Sequence, residues 1–408
     1  MISQTFEVAG ETVAISTLQS PGDLDDLRDF FRRNGDRRLA LDTETTGLNT
    51  WAPDFRVRLV QIGTAHEAFV IPVEDAWSRE AVQAILRHQL YDWVLHNASY
   101  DLMATRATGL LQPRVEDFAL RVHDTRHMSH LVDPRGQMDG GVGHSLKAQT
   151  GARVDPSAPD TGKDLHKHFK SYRVPVPGQT YASGKRKGEQ KYRPATVAEG
   201  WSLIDTFDPL YTLYAGLDVI FTSRLYESLR ADIVRFGMDD LWQFERHVAR
   251  VCLIMQANGM RVDTSYARWL SDHLRRDAES YQEKATELGC SNVNAPARVV
   301  EALQARGVAL TKTTKSGNPS ADASVLEALA KEGDDLSRAI IASKRSDKWR
   351  TAYVDQMINL KDGTDRVHPV INSLQAVTRR MSVSDPPFQQ LPSKKSSGLN
   401  MEEQEEVQ

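Results

Sequence analysis

Short apolar runs broken by turn residues dominate the first hundred positions, whereas from about Asp239 apolar residues recur at helical spacing over long stretches. Phe6 to Ile15 reads as a strand, Pro21-Gly22 as a turn, and Asp23–Arg33 as a helix with Leu24, Leu27, Phe30 and Phe31 on one face. The run from Arg38 to Leu41 enters as a buried strand, and Gly47 releases the chain into a loop. Arg56–Gly63 and Ala68–Val73 pattern as a paired meander, residues 78–90 as a helix, and Trp93-Val94-Leu95 as a short buried strand. A mixed sheet with helices around it follows, an α/β or α+β domain.

Farther on, Tyr211–Ile220 has helical periodicity. Before it, residues 151–196 form an irregular insertion with Pro175, Pro177, Gly178 and a Lys/Arg-rich run from Lys185 to Arg193. Two readings stay open for it: a mobile loop, or an arm over a single strand, with Tyr181 or Tyr192 stacking on bases and the lysines following phosphates. Trp242 to Asn258 carries apolar residues at Val248, Val251, Cys252 and Met255 and stops at Asn258-Gly259. Met260–Asp263 leads into a helix from Ser265 to Leu288.

Composition narrows the classes. The 408 residues suffice for two or three domains, and 40% hydrophobic with 26% charged residues describes an ordinary globular chain. The net charge of -4 supplies no global pull toward nucleic acid, so any such binding comes from local basic surfaces. Two cysteines, Cys252 and Cys290, fit a reducing cytoplasm. No apolar stretch reaches a membrane span and no leader-like segment opens the chain, so a membrane partner is not expected.

The candidate chemistry centres on Asp42-Thr43-Glu44. Strand side chains alternate, so Asp42 and Glu44 face the same way. Two such charges repel by about 4 kcal/mol at ~4 Å and an effective dielectric of ~20, which calls for a cation between them. Hard carboxylate oxygens favour Mg2+ or Mn2+ over zinc. A helix starting at Asn97 places Asp101 one turn on, toward the strand end, and Tyr214 and Asp218 share a helix face at i, i+4. His123 and His127 also stand at i, i+4, but nothing in the sequence supplies a third zinc ligand. His166 and His168, beside Lys163, Lys167 and Lys170, read as a solvated basic face.

Asp42-x-Glu44, Asn97-x-x-Tyr100-Asp101 and Tyr214-x-x-x-Asp218, in that order, resemble the three exonuclease motifs of the proofreading domain in family A DNA polymerases. Asp124–Pro134 and His144–Lys147 are similar to the helices between the second and third motifs. The resemblance implies a ribonuclease H-like 3′-5′ exonuclease domain over residues 1–234 and a two-metal hydrolysis of DNA 3′ ends. It implies that Asp42 bridges two divalent ions, Glu44 and Asp218 complete one site, and Asp101 supports the other through water. Tyr214 would orient the attacking water, and Thr45, Leu48 and Asn97 would position the terminal nucleotide.

The likeness continues past residue 235. Gly259–Asp263, Asn292–Pro296 and Thr311–Gly317 are similar to a mostly α-helical thumb over 235–365, and Thr378–Pro392 to the first palm motif within 366–392. Contacts to primer-template DNA are implied for Lys312, Lys315, Arg345, Lys348, Arg380 and Gln389. The basic cluster around Lys344–Arg350 reads equally as a solvated helix face. Arg379, Pro387 and Gln390 depart from the family pattern, which weakens the expected minor-groove contact. Residues 393–408 read as a disordered acidic tail. The polymerase carboxylates of the family would follow this point, so the chain alone is expected not to synthesise DNA and to meet a separately encoded palm-fingers chain. Two competing readings are a non-catalytic DNA-binding subunit and a ribonuclease D-like RNA trimmer.

Overall fold

Where the pattern suggested one strand from Phe6 to Ile15, the chain makes a hairpin. Strand β1 (Ile2–Val8) turns through Ala9 and Gly10 into β2 (Glu11–Thr17), and both turn residues have positive φ, 51° and 79°. Two-residue hairpin loops need that conformation, but alanine rarely adopts it, which is why the turn was not legible. The structure, a computed structural model, describes residues 1–391 except 36, 37, 89, 90, 113, 159, 160 and 315; the expected tail at 393–408 lies outside the described residues.

The chain divides into two compact units, Met1–Asn258 with Ile371–Ser382, and Gly259–Val370 with Val383–Gln408. In the first, α1 (Leu24–Arg33) precedes β3 (Leu39–Thr45), β4 (Val57–Gly63) and β5 (Glu67–Pro72), and α2 (Ala76–Arg87) precedes β6 (Trp93–Leu95). Next come α3 (Ala98–Ala107), α4 (Val115–Phe118), β7 (Val122–Asp124), α5 (Thr125–Val132), α6 (Leu146–Arg153) and α7 (Thr161–Phe169). The described strands form a seven-stranded sheet ordered β1-β2-β5-β4-β3-β6-β7. Strands β3, β6 and β7 run parallel, and β4 lies antiparallel between β3 and β5.

Residues 151–196 are more ordered than their composition suggests. They hold α7 and a hairpin of β8 (Arg173–Thr180) with β9 (Gln190–Pro194), followed by α8 (Val197–Leu203) and α9 (Pro209–Arg235). The prolines of β8 hid the strand, yet they are tolerated because this hairpin is a separate two-stranded ribbon with open edges. Arg186 lies over the Tyr181 ring, 4.7 Å from its centre, so that tyrosine is already partnered.

Both faces of the sheet are covered, which explains why β3 is buried along most of its length. Leu39, Leu41, Val60 and Ile62 face a core with α1 and Leu102 of α3, while Ala40, Leu59 and Val70 face Tyr211, Ala215 and Val219 of α9. Two glycines set the approach of α9. A Cβ on Gly63 would lie 2.8 Å from Val219, and one on Gly216 would lie 2.5 Å from the buried Ile15 side chain.

Helix α10 (Asp239–Asn258) belongs to this first unit, beyond the expected boundary at residue 234, because Trp242, Leu253 and Ala257 complete its cores. Val251 and Met255, expected on its apolar face, are instead more than half exposed; Cys252 keeps its predicted burial. No helix among the described residues is long and apolar enough to cross a membrane.

In the second unit, β10 (Met260–Arg261) pairs with a strand at Arg366–Val367, so the start of the palm-like segment is not a lone strand. Asp263 caps α11 (Thr264–Glu287) by accepting from the amides of Ser265 and Tyr266. Helices α12 (Pro296–Ala305), α13 (Ala323–Lys331) and α14 (Asp335–Trp349) surround a core of Val299, Leu303, Leu326, Leu336 and Ile340. Ala267, Leu270 and Leu274 of α11 pack with Trp349 in a second cluster.

The tight seat of α9 yields a prediction. Replacing Gly216 by Val should cost about 1–3 kcal/mol of stability, because the overpacking meets a buried β-branched neighbour. Urea unfolding checks this, and an unchanged midpoint would contradict the close approach.

Candidate active site

Asp42 and Glu44 leave β3 on the face covered by α9, and Asp218 comes from that helix. One carboxylate oxygen from each lies within 4.8 Å of the others, and among the described residues this is the sole group of three or more acidic, histidine or cysteine side chains so arranged. A β-bulge follows directly, between Glu44 and Thr45. Gln61 stands opposite Asp42 on β4, and its amide nitrogen lies 3.5 Å from Glu44 Oε1.

Asp101 arrives from the other face of the sheet. It sits in the first turn of α3, and Thr43, the residue between the two strand acids, donates its hydroxyl to Asp101 Oδ1 at 2.7 Å. Alternation along β3 therefore divides the acids: Asp42 and Glu44 meet Asp218, while Thr43 holds Asp101. Asp101 is buried and stands outside the tight trio.

The electrostatics follow from this crowding. Asp42 keeps some exposed surface, yet desolvation pushes its carboxyl up to about 7. Burial raises Glu44 well above the carboxylate range, and the charges of Asp42, Asp218 and Asp101 raise it further. Asp218 and Asp101 are raised by burial first and then by Asp42, against the opposing hydrogen bonds from Tyr214 and Thr43 respectively. No cationic side chain is among the causes acting on Asp42, Glu44 or Asp218. A group of buried acids with nothing positive among them fits divalent cations as the missing counter-charge, held through hard oxygens.

Tyr214 lies one turn before Asp218, which holds its phenol well above the ordinary range; burial adds to that. Thr45 donates to the Gly47 carbonyl at 2.9 Å, and Tyr100 donates to the same oxygen at 2.7 Å. Leu48 is 87% exposed at the loop that follows, an apolar side chain left without a protein neighbour to cover it. Asn97 occupies the N-cap of α3 but in the left-handed region, φ 69°, and its side chain does not cap. Asp124 takes that role, accepting from the amides of Asn97 and Ala98 at 3.0 and 2.8 Å.

Thr43, Gln61, Tyr100, Asp124 and Arg126 stand within the stretches read from the sequence but carried no role there. Gln61 depends on cross-strand register, which no local pattern reveals. The histidine expectations also change in detail. His166 packs on Phe169 and Trp201, and His168 lies 3.0 Å from Asp208, while Lys163, Lys167 and Lys170 are exposed. His123 packs against Tyr226 and Trp242, and His127 contacts Ser373, so the two do not form a metal pair.

The expected DNA contacts lie in both units. In the first, Arg380 is exposed. In the second, the Lys312 ammonium binds the Asp322 carboxylate at 3.0 Å, Arg345 is half-buried and Lys348 exposed on α14, and Gln389 accepts from the Val383 amide at 3.2 Å. Lys315 lies outside the described residues.

Residues 18–148 match the 3′-5′ exonuclease family and residues 264–405 match DNA polymerase family A. Asp42, Glu44 and Asp101 fall inside the first match; Tyr214 and Asp218 lie beyond it. The DNA polymerase of Mycobacterium phage L5 is 35% identical over 397 residues, covering 96% of this chain and 62% of that protein. The DNA polymerase of Mycobacterium phage D29 is 34% identical, with 96% and 61% covered. DNA polymerase I of Rhizobium leguminosarum is 27% identical, with 88% and 34% covered. The chain thus spans about three fifths of the length of the phage relatives. A solved structure of the POL domain of Pol1 from M. smegmatis, in complex with DNA primer-template and dNTP, has the same fold: TM-score 0.60 at 18% identity, covering 94% of this chain and 57% of that one. The chain thus carries a region of the 3′-5′ exonuclease family at residues 18–148 and one of DNA polymerase family A at residues 264–405, and is similar to the phage DNA polymerases over nearly all of its own length.

Proposed function

We propose that the first unit is a two-metal 3′-5′ exonuclease that removes nucleotides from single-stranded DNA 3′ ends, the proofreading activity of a family A polymerase. The observation that carries this reading is the convergence of Asp42, Glu44 and Asp218, with ligand oxygens within 4.8 Å of one another. These three residues would hold the cations, with Asp101 supporting from the Thr43 side. When bound, such ions lower the pKa of an attacking water and stabilise the departing 3′ oxygen.

The chain's own groups have narrower tasks. Tyr214 keeps its proton near neutral pH, since the Asp218 charge and burial both oppose ionisation, so it orients water rather than abstracting a proton. Thr45 and Tyr100 fix the Gly47 carbonyl and hence the loop that carries Leu48, whose exposed side chain can pack on a terminal base. Asn97 lines the approach from α3. Arg380 in the first unit and Arg345, Lys348 and Gln389 in the second are proposed DNA contacts; Lys312 would have to leave Asp322 to join them.

Asp42→Ala should reduce Mg2+-dependent release of mononucleotides from a 5′-labelled single-stranded DNA by more than the roughly 10–100-fold typical of residues one layer from a metal. Release at the wild-type rate would end the exonuclease reading, and faster trimming of an RNA strand of the same sequence would redirect it to RNA.

The raised carboxyls also set a pH dependence. A carboxyl with a folded pKa above its unfolded value favours the folded state in acid and loses that contribution as pH climbs through the folded value, here about 7 for Asp42. Without metal, Asp42→Asn should therefore raise Tm at pH 8.5 by about 2–4 °C per kcal/mol of repulsion relieved, and change it little at pH 4.5. Added Mg2+ should raise Tm of the wild type alone, as a ligand of the folded state does. Equal Tm values for both proteins across this range would contradict the crowded-acid account.

A further inference from the structure

Arg126 joins three acceptors drawn from two separate stretches of the first unit. Its Nη1 donates to Asn97 Oδ1 at 2.7 Å and to Asn372 Oδ1 at 3.4 Å, and its Nη2 donates to Gln375 Oε1 at 3.0 Å. Its backbone amide donates at 2.8 Å to Asp124, the same carboxylate that caps α3. The planar fork of a guanidinium is suited to such a junction, since its donors point in fixed directions. Asn97 is the residue it grips most closely, and that residue is held in the left-handed region at the entrance to α3, four positions before Asp101.

Asn372 and Gln375 lie in Ile371–Ser382, the segment that returns to the first unit after the whole of the second. That segment is tied down elsewhere as well. Ser373 Oγ lies 3.3 Å from His127 Nε2, Arg379 donates to the Leu131 carbonyl at 3.4 Å, and Met381 Sδ lies 3.8 Å from Cys252 Sγ. Every one of these partners sits on α5 or α10, next to the strand end that bears Asp124. The returning segment thus has a direct polar route, two side chains long, to the N-cap residue of the helix that carries Asp101.

We infer that Arg126 is a positioning residue that sets the Asn97 side chain according to how Ile371–Ser382 is seated, so that this segment regulates the nuclease centre. The inference rests on the exonuclease reading above and adds a control to it. With the segment seated, Asn97 Oδ1 is engaged by the guanidinium and its amide NH2 is left to face the substrate; with the segment displaced, Arg126 loses two of its three side-chain partners and Asn97 its fixed orientation. The effect falls on substrate binding, because neither residue touches the three clustered acids.

The test is a double-mutant cycle on the full chain, read as single-stranded DNA degradation at a temperature where all variants are folded by circular dichroism. Arg126→Ala, Asn97→Ala and Asn372→Ala/Gln375→Ala should each lower kcat/KM about 5–20-fold, through KM rather than kcat, in line with the roughly 10–100-fold typical of supporting residues. Arg126→Ala combined with either partner change should be no worse than the poorer component, and Arg126→Lys should recover part of the loss. Multiplying losses, a fall in kcat alone, or full activity in Arg126→Ala would overturn the inference. The side-chain amide NMR signals of Asn97, assigned by their disappearance in Asn97→Ala, read the same tie without catalysis. They should shift in Asn372→Ala/Gln375→Ala, and unshifted signals overturn the inference even if the wild type proves unable to cleave DNA, an outcome that would separately remove the exonuclease reading.

Discussion

Mutual repulsion among buried carboxylates is the constraint on which the first unit turns. Glu44 is raised by burial and by three neighbouring acids at once, Asp101 and Asp218 by burial and then by Asp42, and Asp42 by burial. A fold selected for stability alone would not place them there, since removing such charges from water without partners costs several kcal/mol each in typical proteins. The surrounding architecture supplies what the acids oppose. A fully covered strand, a helix seated through Gly63 and Gly216, and cores on both sheet faces hold the side chains close despite their charge.

The two faces of β3 give this arrangement its division of labour. Asp42 and Glu44 point toward α9, and Thr43 points toward α3, so a single strand addresses helices on opposite sides of the sheet. Asp101 remains electrostatically coupled to the group while its oxygen is occupied by a threonine hydroxyl. The same logic keeps Tyr214 a neutral hydrogen-bond partner: the charge it touches is the charge that prevents its ionisation.

Much of this was legible beforehand, for reasons that can be named. Alternation places Asp42 beside Glu44 and helical spacing places Tyr214 beside Asp218, because both are local periodicities. The meeting of the strand pair with Asp218 depends on the packing of α9, and its signature was the pair of small residues rather than the acids themselves. Thr43 could not be recognised as the holder of Asp101 without knowing which helix covers which face. The hairpin at Ala9-Gly10 and the strand through Pro175 and Pro177 were missed because each uses a residue type that ordinarily argues against the conformation found. Val251 and Met255 misled in the opposite sense, since apolar character alone does not say which side of a helix the core will take.

The discontinuity of the first unit has a consequence for how the chain is made. Domains generally fold as they emerge from the ribosome, N-terminal parts first. Here α5 and α10 are complete long before Ile371–Ser382 exists, and the whole of Gly259–Val370 must be translated in between. The nascent first unit therefore waits with Arg126 unmatched at two of its acceptors, and its finishing piece arrives already attached to a newly built neighbour. Order of synthesis thus delays the first unit's last contacts until the second unit has been produced.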